Sequence, residues 1–157
     1  MLPAQFPGEP AWAYITAAVV ATILFVLSLL AHEVGHAVVA THNGIEVDGI
    51  TLWLLGGVAR LRGDSPDPGT DFRVAAVGPL ISLVLGLAFA ALGLAIGGVA
   101  PDLVTGVVSY LALINILLAL FNLVPAAPLD GGRILRSALW AWRGDKLQAQ
   151  VWSARAG

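Results

Sequence analysis

Three long apolar stretches dominate the pattern of hydrophobic and polar positions along the chain. They cover residues 11–31, 74–101 and 103–129, and each is free of charged side chains. A helix needs about 20 apolar residues to cross a bilayer, so each stretch is long enough. The pattern therefore predicts three transmembrane helices, which we place at about residues 11–42, 72–99 and 103–123.

The segment between the first and second apolar stretches has two parts of different character. Residues 45–62 are β-prone and partly alternating, and Gly56-Gly57 is typical of a turn. We predict a small β-hairpin there, packed against the helices because an open sheet edge cannot face lipid. Residues 64–71 are rich in Pro, Gly and Asp, and we expect them to form a solvated loop.

The third apolar stretch ends in a segment that cannot continue a regular helix. Prolines and glycines lie close together in the sequence VPAAPLDGGR, and they should unwind or kink the backbone. A C-terminal helix over about residues 133–154 mixes tryptophans with basic residues, which is typical of the membrane interface. The predicted fold class is an all-α polytopic membrane protein with one small β-hairpin and a short interfacial helix, forming a single unit over residues 1–157.

The composition agrees with this class of protein. Hydrophobic residues make up 58% of the chain and charged residues 11%, far from the averages of soluble domains. Cysteine is absent, so the chain has no disulfide framework. The net charge of -2 indicates no particular class of partner. We expect a surrounding lipid bilayer and no nucleic acid.

Basic residues are confined to two segments, and this distribution predicts the topology. Three arginines lie between the first and second apolar stretches, and five basic residues follow the third. The positive-inside rule places both segments in the cytoplasm and the N-terminus outside. Residues 1–10 contain no Lys or Arg, so we expect the first stretch to be retained rather than removed as a signal peptide.

The cytoplasmic end of the first predicted helix carries the sequence HEVGH. His32 and His36 are four residues apart, so on a helix both side chains leave the same face and can reach one metal ion. This is the H-E-x-x-H pattern, in which two imidazoles bind zinc and the glutamate, here Glu33, is a general base. The alternative is that the three polar residues only cap the end of the span, where ionisable groups cost less than at the bilayer centre.

A catalytic zinc site needs a third protein ligand, usually His, Asp or Glu. His42 is the only other histidine, but it follows His36 by six residues and so lies on a different side of the helix. Asp130 is the better candidate, because it directly follows an apolar stretch on the same predicted side of the membrane. It could instead cap the next helix or pair with Arg133.

Three motifs, in this order, resemble the site-2 protease family of intramembrane zinc metalloproteases. They are HEVGH in the first core span, AAVGPL early in the next, and FNLVPAAPLDGGR at the end of the third. The resemblance covers about residues 28–136 and implies that His32, His36 and Asp130 bind one zinc ion, with Glu33 as the general base.

The same resemblance implies a catalytic role for one asparagine. Asn122 lies eight residues before Asp130 and matches a family position that supports the substrate or the oxyanion. Asn115 is a weaker candidate, and it could serve only to hydrogen-bond between helices.

The resemblance also implies an activity, a substrate and a location. We expect a zinc metalloendopeptidase that hydrolyses peptide bonds in or near transmembrane segments of membrane proteins, in the bacterial cytoplasmic membrane with its active site towards the cytoplasm. A substrate could add as a strand to the hairpin edge. Family members commonly have further membrane helices and often a PDZ or paired CBS domain, so we expect either a minimal member or a truncated core. The alternative is a non-hydrolytic metal-binding membrane protein, or an inactive core that binds transmembrane clients.

Overall fold

The computed structural model describes residues 2–53, 56–62 and 65–156 of the chain. Its elements, in chain order, are α1 (Leu2–Gln5), α2 (Ala11–His42), β1 (Glu46–Trp53), β2 (Gly56–Arg62), α3 (Pro68–Ile96), α4 (Asp102–Asn122), α5 (Asp130–Arg143) and α6 (Lys146–Ala156).

Three of these helices, α2, α3 and α4, are long and apolar enough to cross a membrane. Together they confirm the predicted helical membrane core. Many of their large apolar side chains face outward, as expected of helices that contact lipid. Examples are Ile15, Val19, Ile23, Leu80, Leu87 and Leu113.

Helix α3 occupies the centre of the arrangement, because it packs against α2, α4 and α5. It begins at Pro68, four residues before the predicted start at about residue 72. Asp67 is its N-cap and accepts a hydrogen bond from the Thr70 backbone N–H at 2.9 Å, and Pro68 occupies the first turn, where its missing N–H costs nothing. The expectation of a solvated loop over residues 64–71 was therefore wrong for its last part, since Asp71 is completely buried.

Strands β1 and β2 pair antiparallel and both contact α2. The register runs from Glu46 opposite Arg62 to Trp53 opposite Gly56, with one irregularity between Val47 and Gly49. Gly56 and Gly57 lie within β2 and pair with β1, so the expectation that they form the turn was wrong.

The C-terminal region contains two helices where a single helix over residues 133–154 was predicted. Helix α5 begins at Asp130, directly after the cis Ala127–Pro128 peptide bond and Leu129. It ends at Arg143, and the next residue, Gly144, has a left-handed backbone with φ of 72° before α6 begins. Glycine adopts this conformation without the penalty that a Cβ would impose, so it stops the helix there.

Candidate metal centre

Two side chains of α2 and one of α5 meet in a group that could hold a metal ion. The ligand atoms of His32, His36 and Asp130 all lie within 4.8 Å of one another. Asp130 Oδ2 is 3.2 Å from His32 Nε2 and 3.2 Å from His36 Nε2. The structure thus brings together the two histidines and the aspartate singled out in the sequence, although 94 residues separate the aspartate from His36.

The histidines converge because they lie one helical turn apart on the buried face of α2. Their rings are 4.9 Å apart between centroids and meet edge to face. Both residues are at least 95% buried. Buried imidazoles need hydrogen-bond partners for both ring nitrogens, so the atoms around them determine which nitrogen faces the site.

The tautomer of His36 follows from its contact with α3. Its Nδ1 lies 2.6 Å from the backbone carbonyl oxygen of Val74. A carbonyl can only accept, so Nδ1 carries the proton and donates it. Nε2 is then left with its lone pair directed toward Asp130, as a metal ligand requires.

His32 has a corresponding partner on α3, about two helical turns after Val74. Its Nδ1 lies 2.9 Å from the hydroxyl oxygen of Ser82, which is completely buried. A hydroxyl can donate or accept, so zinc binding through Nε2 of His32 requires the tautomer in which Nδ1 donates to Ser82. Both histidines are therefore oriented by α3, one through a backbone carbonyl and one through a hydroxyl.

A glycine in α3 makes room for the two rings. A Cβ added at Gly78 would lie 2.5 Å from His32 Nε2 and closer still to His36 Nε2. No side chain fits at those separations. Helix α3 can therefore pass directly beside the ligand atoms only because residue 78 is glycine.

Asp130 approaches from the first residue of α5. Burial raises the pKa of its carboxyl, but without a metal ion the hydrogen bonds and positive charge of protonated His32 and His36 outweigh burial and lower that pKa to about 2. Asp130 is therefore ionised at neutral pH, and an ionised carboxylate is the form that binds a metal ion. Arg133, which was considered as a partner of Asp130, instead contacts Asp71.

The donor set fits a zinc ion. Two imidazole nitrogens and a carboxylate oxygen converge, and these are ligand types that zinc prefers. Tetrahedral zinc with ligands at about 2.0–2.1 Å would separate neighbouring ligand atoms by about 3.3 Å. The two separations of 3.2 Å to Asp130 Oδ2 match that spacing, and the whole set of three ligand atoms lies within 4.8 Å.

Glu33 lies beside this cluster and is itself buried. Its Oε1 is 3.9 Å from His32 Nε2. This distance is longer than the 3.2 Å contacts of Asp130, so Glu33 is not part of the ligand set. Its carboxylate is close enough to hydrogen-bond to a water molecule bound beside the ligands. This is the placement expected of a general base.

The remaining candidates occupy other positions. Asn122 is the last residue of α4, and its Nδ2 donates to the Leu118 carbonyl at 3.0 Å. Asn115 is completely buried in α4, bonds to the Leu111 carbonyl, and has an Oδ1 without a partner among the described residues. His42 ends α2 on an exposed surface, away from the cluster.

Val74 and Ser82, which orient the histidines, were missed from the sequence, and Gly78 was noted only as part of the AAVGPL motif. Val74, Gly78 and Ser82 are spaced by four residues, which places them on one face of the helix. That spacing is visible in the sequence. Which face of α3 meets α2 depends on packing, and one apolar stretch with many small residues does not reveal it.

The structure combines helices long enough to span a membrane with a buried His-His-Asp cluster and a glutamate next to the first histidine. These features indicate a membrane metalloprotein with the ligand pattern of a metallopeptidase. The sequence model of peptidase family M50 matches residues 20–108 and 99–156. The chain belongs to this family. The match confirms the resemblance to the site-2 proteases.

Curated relatives carry names consistent with that family. A Mycobacterium tuberculosis protein, the candidate zinc metalloprotease Rip3, is 46% identical over 158 residues, which is 100% of this chain and 40% of the relative. A zinc metalloprotease of Methanocaldococcus jannaschii is 39% identical over 121 residues, covering 74% of this chain and 33% of the relative. The chain therefore spans about two fifths or less of the length of these relatives.

A solved structure has the same fold. The site-2 protease from Methanocaldococcus jannaschii superposes with a TM-score of 0.68 at 30% sequence identity. The match covers 92% of this chain and 72% of that chain.

Proposed function

We propose that this chain is the catalytic core of an intramembrane zinc metalloprotease that hydrolyses peptide bonds in or near transmembrane segments of membrane proteins. One observation carries the proposal: the ligand atoms of His32, His36 and Asp130 lie within 4.8 Å of one another, beside Glu33 and next to helices long enough to span a bilayer. The names of the relatives support the choice of zinc and of proteolysis.

Zinc bound by His32, His36 and Asp130 would supply Lewis acidity to a water molecule and to the substrate carbonyl. Both histidines would bind the metal as neutral ligands through Nε2, with Nδ1 directed at α3. Asp130 supplies one negative charge and lowers the net charge of the site. Three protein ligands would leave one coordination position of a zinc ion for the reacting molecules.

Glu33 is the general base of this proposal. Its carboxylate takes the proton from the attacking water and then delivers it to the amine of the leaving group. Burial of Glu33 keeps bulk water from competing for that proton. Asn122 is proposed to donate a hydrogen bond to the substrate or to the oxyanion once its bond to Leu118 is released.

Strands β1 and β2 are the proposed docking element for the substrate. They form a two-stranded sheet, so a third strand can add at an edge. A membrane-spanning substrate helix has its carbonyls bonded internally and must unwind before cleavage. Adding as a strand replaces those lost hydrogen bonds and presents an extended peptide. We further propose that the site faces the cytoplasm, from the distribution of basic residues.

The test measures zinc content and cleavage of a model transmembrane substrate in lipid vesicles, for the wild type, Glu33→Gln and Asp130→Asn. We expect one zinc per chain in the wild type and in Glu33→Gln, loss of zinc in Asp130→Asn, and loss of cleavage in both variants. Cleavage by Glu33→Gln at the wild-type rate would show that the mechanism is wrong. One zinc per chain without any cleavage by the wild type would favour a non-hydrolytic metal-binding protein.

A further inference from the structure

The carboxylate of Asp71 is an ionisable group that the proposed mechanism does not use. It lies in the first turn of α3 and is 0% exposed. An ionised carboxylate is very unfavourable in a protein interior unless charged and hydrogen-bonded partners surround it. The groups that hydrogen-bond to Asp71 must therefore compensate for the burial of its charge.

Arg136 of α5 supplies most of those partners. Its Nη2 donates to Asp71 Oδ1 at 2.7 Å and to Oδ2 at 2.8 Å, and its Nε donates to Oδ2 at 3.0 Å. The Ser65 hydroxyl donates to Oδ1 at 2.9 Å, and Arg133 Nη2 makes a longer contact of 3.4 Å with the same oxygen. A planar guanidinium that engages both carboxylate oxygens fixes the relative orientation of the two groups, in a way that a single hydrogen bond cannot.

This ion pair joins α5, the helix that carries Asp130, to α3, the helix that contacts both histidines of α2. Arg136 is six residues after Asp130 within the unbroken helix α5, a separation of about 9 Å along the axis. Asp71 lies three residues before Val74 and seven before Gly78, so it shares the face of α3 that meets the histidines. One face of α3 thus contacts all three ligand-bearing positions. It holds His36 through Val74, His32 through Ser82, and the helix of Asp130 through Asp71.

We propose that Asp71 and Arg136 are positioning residues, which set the place of Asp130 relative to His32 and His36. Apolar contacts alone would allow α5 to slide or rotate against α3 at low cost, because they are not directional. The Asp71–Arg136 pair removes that freedom. A displacement of Asp130 by one ångström would spoil a coordination shell whose bond lengths vary by only about 0.2 Å. The inference rests on the proposed zinc site and adds to it the device that holds the third ligand.

The test uses the full chain in detergent, loaded with Co²⁺ in place of zinc, because the visible absorption of Co²⁺ reports the number and geometry of its ligands. The variants are Arg136→Lys, which keeps the charge but loses the planar fork, and Asp71→Asn, which keeps the shape but loses the charge. Arg143→Lys is the matched control, since it makes the same change at the last residue of the same helix, where the guanidinium lies over Trp142.

We expect Arg136→Lys and Asp71→Asn to bind Co²⁺ roughly 10–100-fold more weakly, with altered visible bands, the scale found for groups that orient metal ligands. Arg143→Lys should match the wild type in both. Unchanged affinity and bands in Arg136→Lys and Asp71→Asn would overturn the inference. Wild-type protein that binds no Co²⁺ would overturn the proposed function and this inference with it.

A double variant separates positioning from general stability. Asp71→Asn combined with Arg136→Gln removes both charges, so neither partner is left as an unpaired buried ion, and the metal-free fold should regain stability lost in Asp71→Asn. Its Co²⁺ bands and affinity should remain altered, because the hydrogen bonds between the Arg136 guanidinium and the Asp71 carboxylate that orient α5 are lost. Recovery of the wild-type bands together with stability would show that the pair only stabilises the fold.

Discussion

His36 donates its Nδ1 proton to the backbone carbonyl of Val74 across a distance of 2.6 Å. Because the acceptor belongs to the backbone, this contact fixes the ring through the position of α3 itself. The metal-facing nitrogen of His36 is therefore determined by where α3 passes, and so is that of His32 through Ser82.

Gly78→Ala should abolish stoichiometric zinc binding. The added methyl group would meet the Nε2 atoms of both His32 and His36, so either the rings or α3 must move. Zinc content of the purified protein, measured by elemental analysis, checks this. Gly93→Ala is the control, because a Cβ there would lie 3.6 Å from its nearest neighbours, an ordinary contact. Full zinc occupancy in Gly78→Ala would show that the described approach of α3 to the site is wrong.

Ser82→Ala should weaken zinc binding by roughly 10–100-fold without unfolding the protein. The change removes the partner of His32 Nδ1, which then loses its fixed tautomer and orientation. Competition with a chelator of known affinity measures the effect. Ser28→Ala is a matched control, since Ser28 is also buried but bonds only to the Leu24 carbonyl of its own helix. Equal affinities in the two variants would contradict the role given to Ser82.

Zinc removal should lower the thermal stability of the protein in detergent. A ligand that binds only the folded state stabilises it by about 4 kcal/mol at 1,000 times its dissociation constant. Unfolding with and without added zinc measures the difference. Glu33→Gln should keep the stabilisation, because the side chain is not a ligand, whereas Asp130→Asn should lose most of it. A similar zinc response in Asp130→Asn would remove Asp130 from the ligand set.

Ile50→Pro should impair cleavage of a transmembrane substrate while leaving zinc content unchanged. Ile50 lies in β1 opposite Ala59, and proline there removes a backbone donor and distorts the strand. Ile50→Thr is the control, because threonine keeps the donor and suits a strand. Cleavage by Ile50→Pro at the wild-type rate would count against substrate docking on the hairpin.

The sequence predicted the parts of the molecule that depend on local pattern. Long uncharged stretches indicated α2, α3 and α4, and the spacing of His32 and His36 placed both on one face. Asp130 was identified as a third ligand candidate because it stands alone after an apolar stretch. Such features need no knowledge of how the helices pack.

The features that the sequence did not predict are of two kinds. Some depend on packing between helices, and others have local sequence signals at helix ends. Asp67 and Pro68 form a typical helix start, and reading them as one would have placed Asp71 inside α3. Gly144 after Arg143 is likewise a typical helix end, and it divides the C-terminal region. The burial of Asp71 against Arg136 has no local signal, because it results from how α5 packs on α3.

X-ray absorption at the zinc edge tests the central claim most directly, since it reports the ligands of the metal itself. For the wild-type chain we expect a first shell of nitrogen and oxygen at about 2.0–2.1 Å with scattering from two imidazoles, the pattern of a catalytic site with His32, His36 and Asp130. Asp130→Asn should lose this shell or its metal. A wild-type shell of six oxygens without imidazole scattering would contradict the proposed site.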